Sequence, residues 1–196
     1  MRQLLIATSN RHKVDEYAAL LNDLPFELVN LRDVGITQDV PETGATFREN
    51  ARIKAEAYSQ MSGLLTLADD SGLEIAALNG APGVYSARYG GVTGAEQLAL
   101  VLQQLADMPF HERMARFVCV VAIVEPDRAV EFAEATLPGV IDFEPKGTHG
   151  FGYDPIFYLL DRGMTLAELP PDEKNKISHR ALAVYKARPI LATYIT

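Results

Sequence analysis

The sequence contains a single cysteine, Cys119, among 196 residues. One cysteine cannot form an internal disulfide, which excludes a disulfide-stapled secreted fold, and its place among valines predicts inert core. Long apolar runs are also missing. The longest covers residues 117–124, far short of the roughly 20 residues that cross a bilayer. With no targeting segment visible at the amino terminus, we expect a cytoplasmic protein with no membrane partner.

Positive charge is scarce. The chain has 18 Lys and Arg against 26 Asp and Glu, a formal net charge of −8. This balance argues against nucleic acid as a partner, because non-specific binding to nucleic acid needs a basic surface. An anionic small ligand stays possible where the few cations cluster or where a metal ion helps. The content of 48% hydrophobic and 22% charged residues is that of a globular chain and excludes disorder as a description of the whole.

Several motifs of well-known enzymes are absent. No Walker sequence occurs, so the chain is not a P-loop nucleotidase. The four histidines lack the spacing of a zinc site, and no serine is flanked as a nucleophile elbow. Any chemistry must therefore come from carboxylates, cations and loops.

Hydrophobic periodicity predicts an α/β protein with a mixed sheet, because strands and helices alternate early and strands cluster later. Thr46 and Glu49 form a capping-box pattern at one helix start. The predicted helices are 11–21, 47–61, 96–105 and 178–187, the last interrupted by Pro189, and the predicted strands are 4–8, 28–31, 64–68, 116–124, 129–137 and 156–160.

Two stretches combine polar residues in a way that suits phosphate and metal. Residues 8–13 join the first predicted strand to the first predicted helix. The N–H groups at the start of that helix, together with Lys13, would form an anion site. The alternative is that Asn10 is only a helix N-cap. Asp69 and Asp70 follow a predicted strand, and adjacent carboxylates usually need a cation. With Glu42 they suit Mg²⁺ shared with substrate phosphates; the alternative is a plain Asp-Ser-Gly turn.

Two later stretches suit a nucleotide base. Phe151 and Tyr153 lie in a glycine-rich loop and could stack on a planar ring, or could pack into the core around a tight turn. Residues 174–180 concentrate positive charge at a helix start, including His179 and Arg180. The alternative for this stretch is a solvated helix end in which Ser178 is a simple cap.

These stretches, together with 42–51 and 80–89, occur in the order in which they occur in the inosine triphosphatase family, which the chain closely resembles. Members are housecleaning pyrophosphatases for non-standard purine nucleoside triphosphates. The resemblance implies Mg²⁺-dependent hydrolysis, with Mn²⁺ possible, of ITP, dITP and XTP to the monophosphate and pyrophosphate. It also implies one two-lobed domain over 1–196. That domain would be an elongated mixed β-sheet with flanking helices and a central nucleotide cleft, usually in a homodimer.

The resemblance also implies residue roles. Glu42 and Asp70 match metal positions, and Asp70 with its acidic neighbour Asp69 matches the catalytic pair, Asp70 as proton acceptor. The positions that match substrate contacts are Thr8, Ser9, Asn10, Arg11, His12, Lys13, Lys54, Ser71, Phe151, Gly152, Tyr153, Asp154, Lys174, His179 and Arg180. Ser9 and His149 replace glycines that are usual in the family, and we expect altered loop detail without lost activity.

The residues and the resemblance lead to one reaction, in which water attacks the α-phosphorus and pyrophosphate leaves. Asp70 would orient or deprotonate the water, while Lys13, Lys54 and Lys174 neutralise the phosphates. Arg180, which can only donate, is predicted to read a 6-keto oxygen. The alternatives are a pyrophosphatase for other modified nucleotides and a nucleotide-binding regulator that does not hydrolyse.

Overall fold

The structure is a computed structural model that describes residues 1–195, and within them seven strands form one mixed sheet. The strands are β1 (Arg2–Ile6), β2 (Phe26–Asn30), β3 (Leu65–Ile75), β4 (Met114–Val124), β5 (Glu131–Ile141), β6 (Phe157–Leu159) and β7 (Met164–Thr165). Their order in the sheet is β2-β1-β3-β4-β5-β6-β7. β1 runs parallel to β2 and β3, whereas β6 runs antiparallel to β5 and β7. The α/β class with a mixed sheet is therefore confirmed.

Five α-helices accompany the sheet in the described chain: α1 (Arg11–Leu21), α2 (Phe47–Ser62), α3 (Ala95–Gln104), α4 (Pro171–Ile177) and α5 (His179–Ala192). α1 has the predicted bounds. α2 begins with the predicted capping box, in which the Thr46 hydroxyl accepts from the Glu49 N–H and the Glu49 carboxylate accepts from the Thr46 N–H, both at 3.1 Å. Gly63, with a φ of 71°, ends α2 in the left-handed conformation that glycine tolerates best.

The predicted end of the third strand at residue 68 is wrong. β3 continues through Asp69, Asp70 and Ser71 to Ile75, so these residues form no Asp-Ser-Gly turn. The strand was expected to end here because an Asp-Ser-Gly sequence is common where strands end. Both carboxylates here have cationic partners, described below, and a paired charge can be buried.

The carboxyl-terminal region also differs from its prediction. Pro189 lies inside α5 and does not interrupt it. Proline removes one helix hydrogen bond, but Leu191, which is fully buried, packs into the hydrophobic core and holds the last turn in place. α4 was not predicted, and residues Gly83–Gly91 wind into 3₁₀ turns with a kink.

Contact density divides the chain into two compact units. Unit 1 comprises Met1–Asp70, Cys119–Ala135 and the segment that begins at Arg180, and its core contains Leu4, Tyr17 and Leu67. Unit 2 comprises Ser71–Val118 and Thr136–His179, and its core is built around residues such as Phe157. No helix among residues 1–195 has the length and apolar character needed to cross a membrane.

Candidate active site

The turn between β1 and α1 is organised by Asn10. Its Oδ1 accepts hydrogen bonds from the N–H groups of His12 (3.0 Å) and Lys13 (3.4 Å), and its own N–H donates to Thr8 Oγ1 at 3.2 Å. Asn10 is therefore the N-cap of α1, which was one of the two alternatives. A capped helix start still carries the positive end of the helix dipole, so the cap does not exclude phosphate at this turn.

A cleft of about 950 Å³ in unit 1 opens beside this turn. Its lining includes four of the predicted substrate contacts, which are Thr8, Ser9, Arg11 and His12. Arg32 and Tyr58 line the cleft as well. Carboxylates of Asp15, Asp33 and Asp39 line it too, so the cleft is polar and carries charges of both signs.

The side chain of Asp69 is buried and paired with two cations of unit 1. Its Oδ2 lies 2.8 Å from Lys13 Nζ and 3.5 Å from Arg180 Nη2, and its side chain is 1% exposed. Although burial opposes ionisation, the charges of Lys13 and Arg180 hold the pKa of Asp69 well below its ordinary value. Asp69 is consequently a fixed negative charge.

The guanidinium of Arg180 is also buried, with 1% of its side chain exposed. It forms ion pairs with Glu16 of α1 and with Asp69 of β3. Burial opposes the charge on Arg180, but these carboxylates raise its pKa well above the ordinary value. The contact between Arg180 and a 6-keto oxygen stays a prediction. In this structure the guanidinium of Arg180, at the start of α5, contacts carboxylates of α1 and β3.

Cys119 lies behind these ion pairs, with its Sγ 3.9 Å from Asp69 Oδ2. Burial, together with the nearby negative charge, raises the pKa of the thiol to about 12. A thiol that stays protonated and buried is a poor nucleophile. This geometry agrees with the sequence interpretation of Cys119 as inert core.

Asp70 belongs to a second cluster in unit 1. Lys54 Nζ forms an ion pair with Glu42 and lies 3.4 Å from Asp70 Oδ1, while Asn50 Nδ2 donates to Asp70 Oδ2 at 3.1 Å. Burial raises the pKa of Asp70, the charge of Lys54 opposes that rise, and the negative charge of Glu42 adds to it. Burial lowers the pKa of Lys54, but the surrounding carboxylates more than reverse this and raise it overall.

The two adjacent aspartates therefore act in different surroundings. Successive side chains of a β-strand point to opposite faces, and Asp69 contacts Lys13 and Arg180 whereas Asp70 contacts Asn50 and Lys54. The sequence argument that adjacent carboxylates need a positive charge nearby agrees with these contacts, although the partners seen here are side-chain cations. Each has its own cation, and the carboxylate that faces Asp70 across a shared lysine is Glu42.

Glu42 and Asp70 are suitable ligands for a divalent cation. Within residues 1–195 no group of three or more His, Cys, Asp or Glu side chains could hold a metal ion. Mg²⁺ is commonly bound by one or two carboxylates, several waters and the substrate phosphates, so two carboxylates that already share one ammonium group fit it. The same donor set also suits Mn²⁺.

Unit 2 contains the predicted base-binding loop. Lys174 Nζ lies 2.7 Å from Asp154 Oδ2, over the ring of Phe151 at 4.7 Å from its centroid. The Phe151 N–H donates to the same Asp154 oxygen at 2.8 Å. A side chain at Gly150 would lie 2.1 Å from that oxygen, so the loop closes over Asp154 only with glycine there.

Four further predicted site residues lie in unit 2. Tyr153 is buried, and its hydroxyl donates to the Ser86 carbonyl at 3.0 Å. His179 stacks on Phe117, with ring centroids 4.5 Å apart and an interplanar angle of 12°. Gly152 has a φ of 60°. Ser71 is a half-buried residue of β3.

Two residues of the site are not among the predicted ones: Asn50, which contacts Asp70 directly, and Glu16, which pairs with Arg180. A signal for Asn50 was present. It lies four residues before Lys54 on a helix whose start was predicted correctly, and residues at that spacing share a helix face. No comparable signal exists for Glu16, because its partner is 164 residues away.

Comparison with known proteins gives a consistent result. Residues 4–190 match the model of the Ham1 family. The chain is 49% identical to the dITP/XTP pyrophosphatase of Geobacillus kaustophilus over 95% of its length and 92% of the relative's. It is 44% identical to the dITP/XTP pyrophosphatase of Bacillus subtilis, covering 97% of this chain and 98% of that protein.

Solved structures agree with these matches. A Ham1 protein from Coxiella burnetii superposes with a TM-score of 0.90 at 44% identity, over 98% of this chain and all of that chain. The nucleoside-triphosphatase (dITP/XTP pyrophosphatase) from Mycobacterium abscessus superposes with a TM-score of 0.76 at 43% identity, covering 96% of this chain and 99% of that one.

Proposed function

Because the chain belongs to the Ham1 family, we propose that it hydrolyses dITP, XTP and related non-standard purine nucleoside triphosphates to the monophosphate and pyrophosphate. The observation that carries this proposal is the near-complete match to dITP/XTP pyrophosphatases, 43% to 49% identical over at least 92% of the chain. Such an enzyme removes damaged purine nucleotides from the nucleotide pool.

The reaction is hydrolysis of the bond between the α- and β-phosphates. Water attacks the α-phosphorus in line, the bond to the bridging oxygen breaks, and pyrophosphate leaves as one unit. Asp70 is the residue we assign to orient the water and accept its proton, because burial raises its pKa and thereby makes it a better base than an ordinary carboxylate. Lys13 and Lys54 neutralise phosphate charge from two sides of β3.

Glu42 and Asp70 would hold the Mg²⁺ ion. When bound with the triphosphate, the ion stabilises negative charge on the phosphate oxygens. The chain's own contribution is to keep the two carboxylates together around Lys54 before any ion is present. That arrangement supports a metal-dependent enzyme in which Lys54 and the Mg²⁺ ion bind the same two carboxylates, Glu42 and Asp70.

Base recognition is assigned to unit 2, where Phe151, Asp154 and Lys174 form a buried, hydrogen-bonded loop. A 6-keto oxygen accepts hydrogen bonds, whereas the 6-amino group of adenine donates them. The Lys174 ammonium group can only donate, so it favours a keto oxygen over the amino group of adenine, and such polar mismatches discriminate by up to about 10⁴–10⁵.

We also propose one catalytic domain over 1–196 that works in the cytoplasm as a homodimer. The proposal for the domain is supported by the path of the chain, because unit 1 consists of three separate segments and unit 2 of two. Neither unit is a continuous stretch that could be expressed alone. The dimer and the location rest on the family resemblance and on the substrate class.

A panel of nucleoside triphosphates tests the function. We expect dITP, ITP and XTP to be hydrolysed with a specificity constant at least about 10²-fold above that for ATP and dATP, because adenine leaves donors facing donors. Pyrophosphate and orthophosphate are assayed separately, with and without Mg²⁺.

The same panel separates the alternatives. If modified pyrimidine or standard nucleotides are hydrolysed as fast as dITP, ITP and XTP or faster, the enzyme is a pyrophosphatase for those nucleotides and not for non-standard purines. Tight nucleotide binding without release of pyrophosphate at any Mg²⁺ concentration would indicate a regulator. Release of orthophosphate instead of pyrophosphate would contradict attack at the α-phosphorus.

Replacing Lys54 tests whether this lysine shares its acceptors with the metal ion. We expect Lys54→Met to bind Mn²⁺ at least about tenfold more tightly in the absence of nucleotide, because the competing ammonium group is gone. Turnover of dITP should nevertheless fall, because a phosphate-neutralising charge is lost. Mn²⁺ binding is measured by electron paramagnetic resonance, which needs no substrate.

Lys186→Met is the matched control, since it removes an exposed lysine of unit 1 that donates to the Glu134 carbonyl. It should change neither Mn²⁺ binding nor turnover. Unaltered or weaker Mn²⁺ binding in Lys54→Met would show that the lysine does not compete for Glu42 and Asp70.

A further inference from the structure

Asn50 is a fully buried amide that uses both ends of its side chain. Nδ2 donates to Asp70 Oδ2 at 3.1 Å, and Oδ1 accepts from the Gly44 N–H at 2.7 Å. The two partners fix the orientation of the amide, because a backbone N–H requires the oxygen and a carboxylate requires the NH₂ group. The exposed fraction of Asn50 is 0%.

The contact with Gly44 holds the loop that carries Glu42. Gly44 lies two residues after Glu42, and it approaches α2 so closely that a Cβ atom there would lie 2.6 Å from Glu49 Cβ and 2.8 Å from Asn50 Oδ1. Position 44 can make this contact only without a side chain. The backbone next to Glu42 is therefore attached to the same side chain that holds Asp70.

The contact with Asp70 determines the use of its two oxygens. Asn50 occupies Oδ2, and Oδ1 faces Lys54, the lysine that also pairs with Glu42. Rotation of the carboxylate would break the hydrogen bond from Asn50 Nδ2 and leave a buried amide group unsatisfied, which is unfavourable.

We propose that Asn50 is a positioning residue that joins the two halves of the metal site, the Glu42 loop and the Asp70 carboxylate. This inference rests on the proposed function, since it assumes that Glu42 and Asp70 serve the reaction. Asn50 itself touches neither phosphate nor water in the mechanism. Groups that hold metal ligands from behind typically contribute 10–100-fold to metal affinity or activity.

Two variants test the proposal from its two ends. Asn50→Leu keeps the volume of the side chain and removes both hydrogen bonds. Gly44→Ala leaves Asn50 in place and forces the loop away from it, in a part of the chain where the neighbours are largely exposed. Ser59→Ala is the matched control, because Ser59 is another buried polar residue of α2 and donates to the Leu64 carbonyl at 3.1 Å, away from Asp70.

Each protein is measured in three ways: melting temperature, kcat and KM for dITP at saturating Mg²⁺, and Mn²⁺ binding without nucleotide. We expect both test variants to lose about 10²-fold in kcat with KM changed by less than about threefold, because misplacement by an ångström has that effect. We expect Mn²⁺ binding to weaken by about 10-fold or more. Ser59→Ala should lower only the melting temperature.

The outcomes separate this inference from the proposed function. Wild-type protein that neither binds Mn²⁺ nor hydrolyses dITP contradicts both. Normal wild-type behaviour, combined with test variants whose kcat and Mn²⁺ affinity match those of Ser59→Ala, overturns the role of Asn50 alone. If Asn50→Leu does not fold, Gly44→Ala carries the same test, and an unchanged kcat there overturns the proposal.

Discussion

Replacing Asp70 by Asn lowers the turnover of dITP by about 10²–10⁴-fold and leaves the protein folded, which is the largest catalytic effect that we expect. A carboxamide has the shape of the carboxylate but cannot accept a proton from water, and loss of a general base has this magnitude. Asp70 contributes little to folding because burial raises its pKa, so the charged form is disfavoured in the folded protein. The neutral variant should melt within about 4 °C of the wild type, the shift that 1 kcal/mol produces in a chain of this size.

Turnover at saturating Mg²⁺ and the melting temperature are measured on the same preparations. Asp142→Asn is the matched control, because Asp142 is a buried carboxylate of unit 2 whose partners are the Phe143 N–H at 2.7 Å and Lys146 at 2.9 Å. It should lose stability and keep turnover. Near-normal hydrolysis by Asp70→Asn would exclude the assigned role.

The largest effect on stability is expected for Arg180→Ala. Its guanidinium is the shared partner of Glu16 and Asp69, and the side chains of both Arg180 and Asp69 are 1% exposed. Removing one member of a buried ion pair leaves an uncompensated charge and costs about 3–5 kcal/mol. The free energy of unfolding is measured by equilibrium urea denaturation.

Arg188→Ala provides the comparison on the same helix. Arg188 pairs with Asp23 at the surface, where the two side chains are 29% and 59% exposed, and such pairs contribute about 0–1 kcal/mol. If Arg180→Ala loses no more stability than Arg188→Ala, the buried ion pairs are not a stabilising element. Specificity constants for ITP and ATP, measured under conditions in which both variants are folded, test whether Arg180 recognises the base. A selective loss for ITP supports that role, and equal losses for the two nucleotides reject it.

The sequence predicts local structure best where the signals are local. The bounds of α1 and the capping box of α2 follow from residues within one or two turns of each other, and both are confirmed. Predictions that assumed a local breaker were wrong. Asp69 and Asp70 do not end β3, and Pro189 does not end its helix, because partners distant in the sequence hold these segments in place.

The grouping of the candidate site could be predicted only in part. The resemblance supplies the residues, but their contacts depend on the fold. The resemblance already grouped Glu42 with Asp70, but that Lys54 lies between them, and that Asp69 contacts Lys13 and Arg180, depends on strand geometry. Contacts such as Lys13 with Asp69, 56 residues apart, have no signature in a single sequence.

Because Cys119 is buried, the reactivity of its thiol reports how often unit 1 opens to solvent. The chain has one thiol, it is fully buried in the core of unit 1, and its pKa is raised to about 12. Alkylating reagents react with exposed thiolate, so labelling requires that unit 1 first open and admit solvent. The rate of modification therefore measures the frequency of that opening without an introduced probe. Nucleotides and metal ions that bind unit 1 should slow the labelling in proportion to their affinity, which gives a binding assay independent of catalysis.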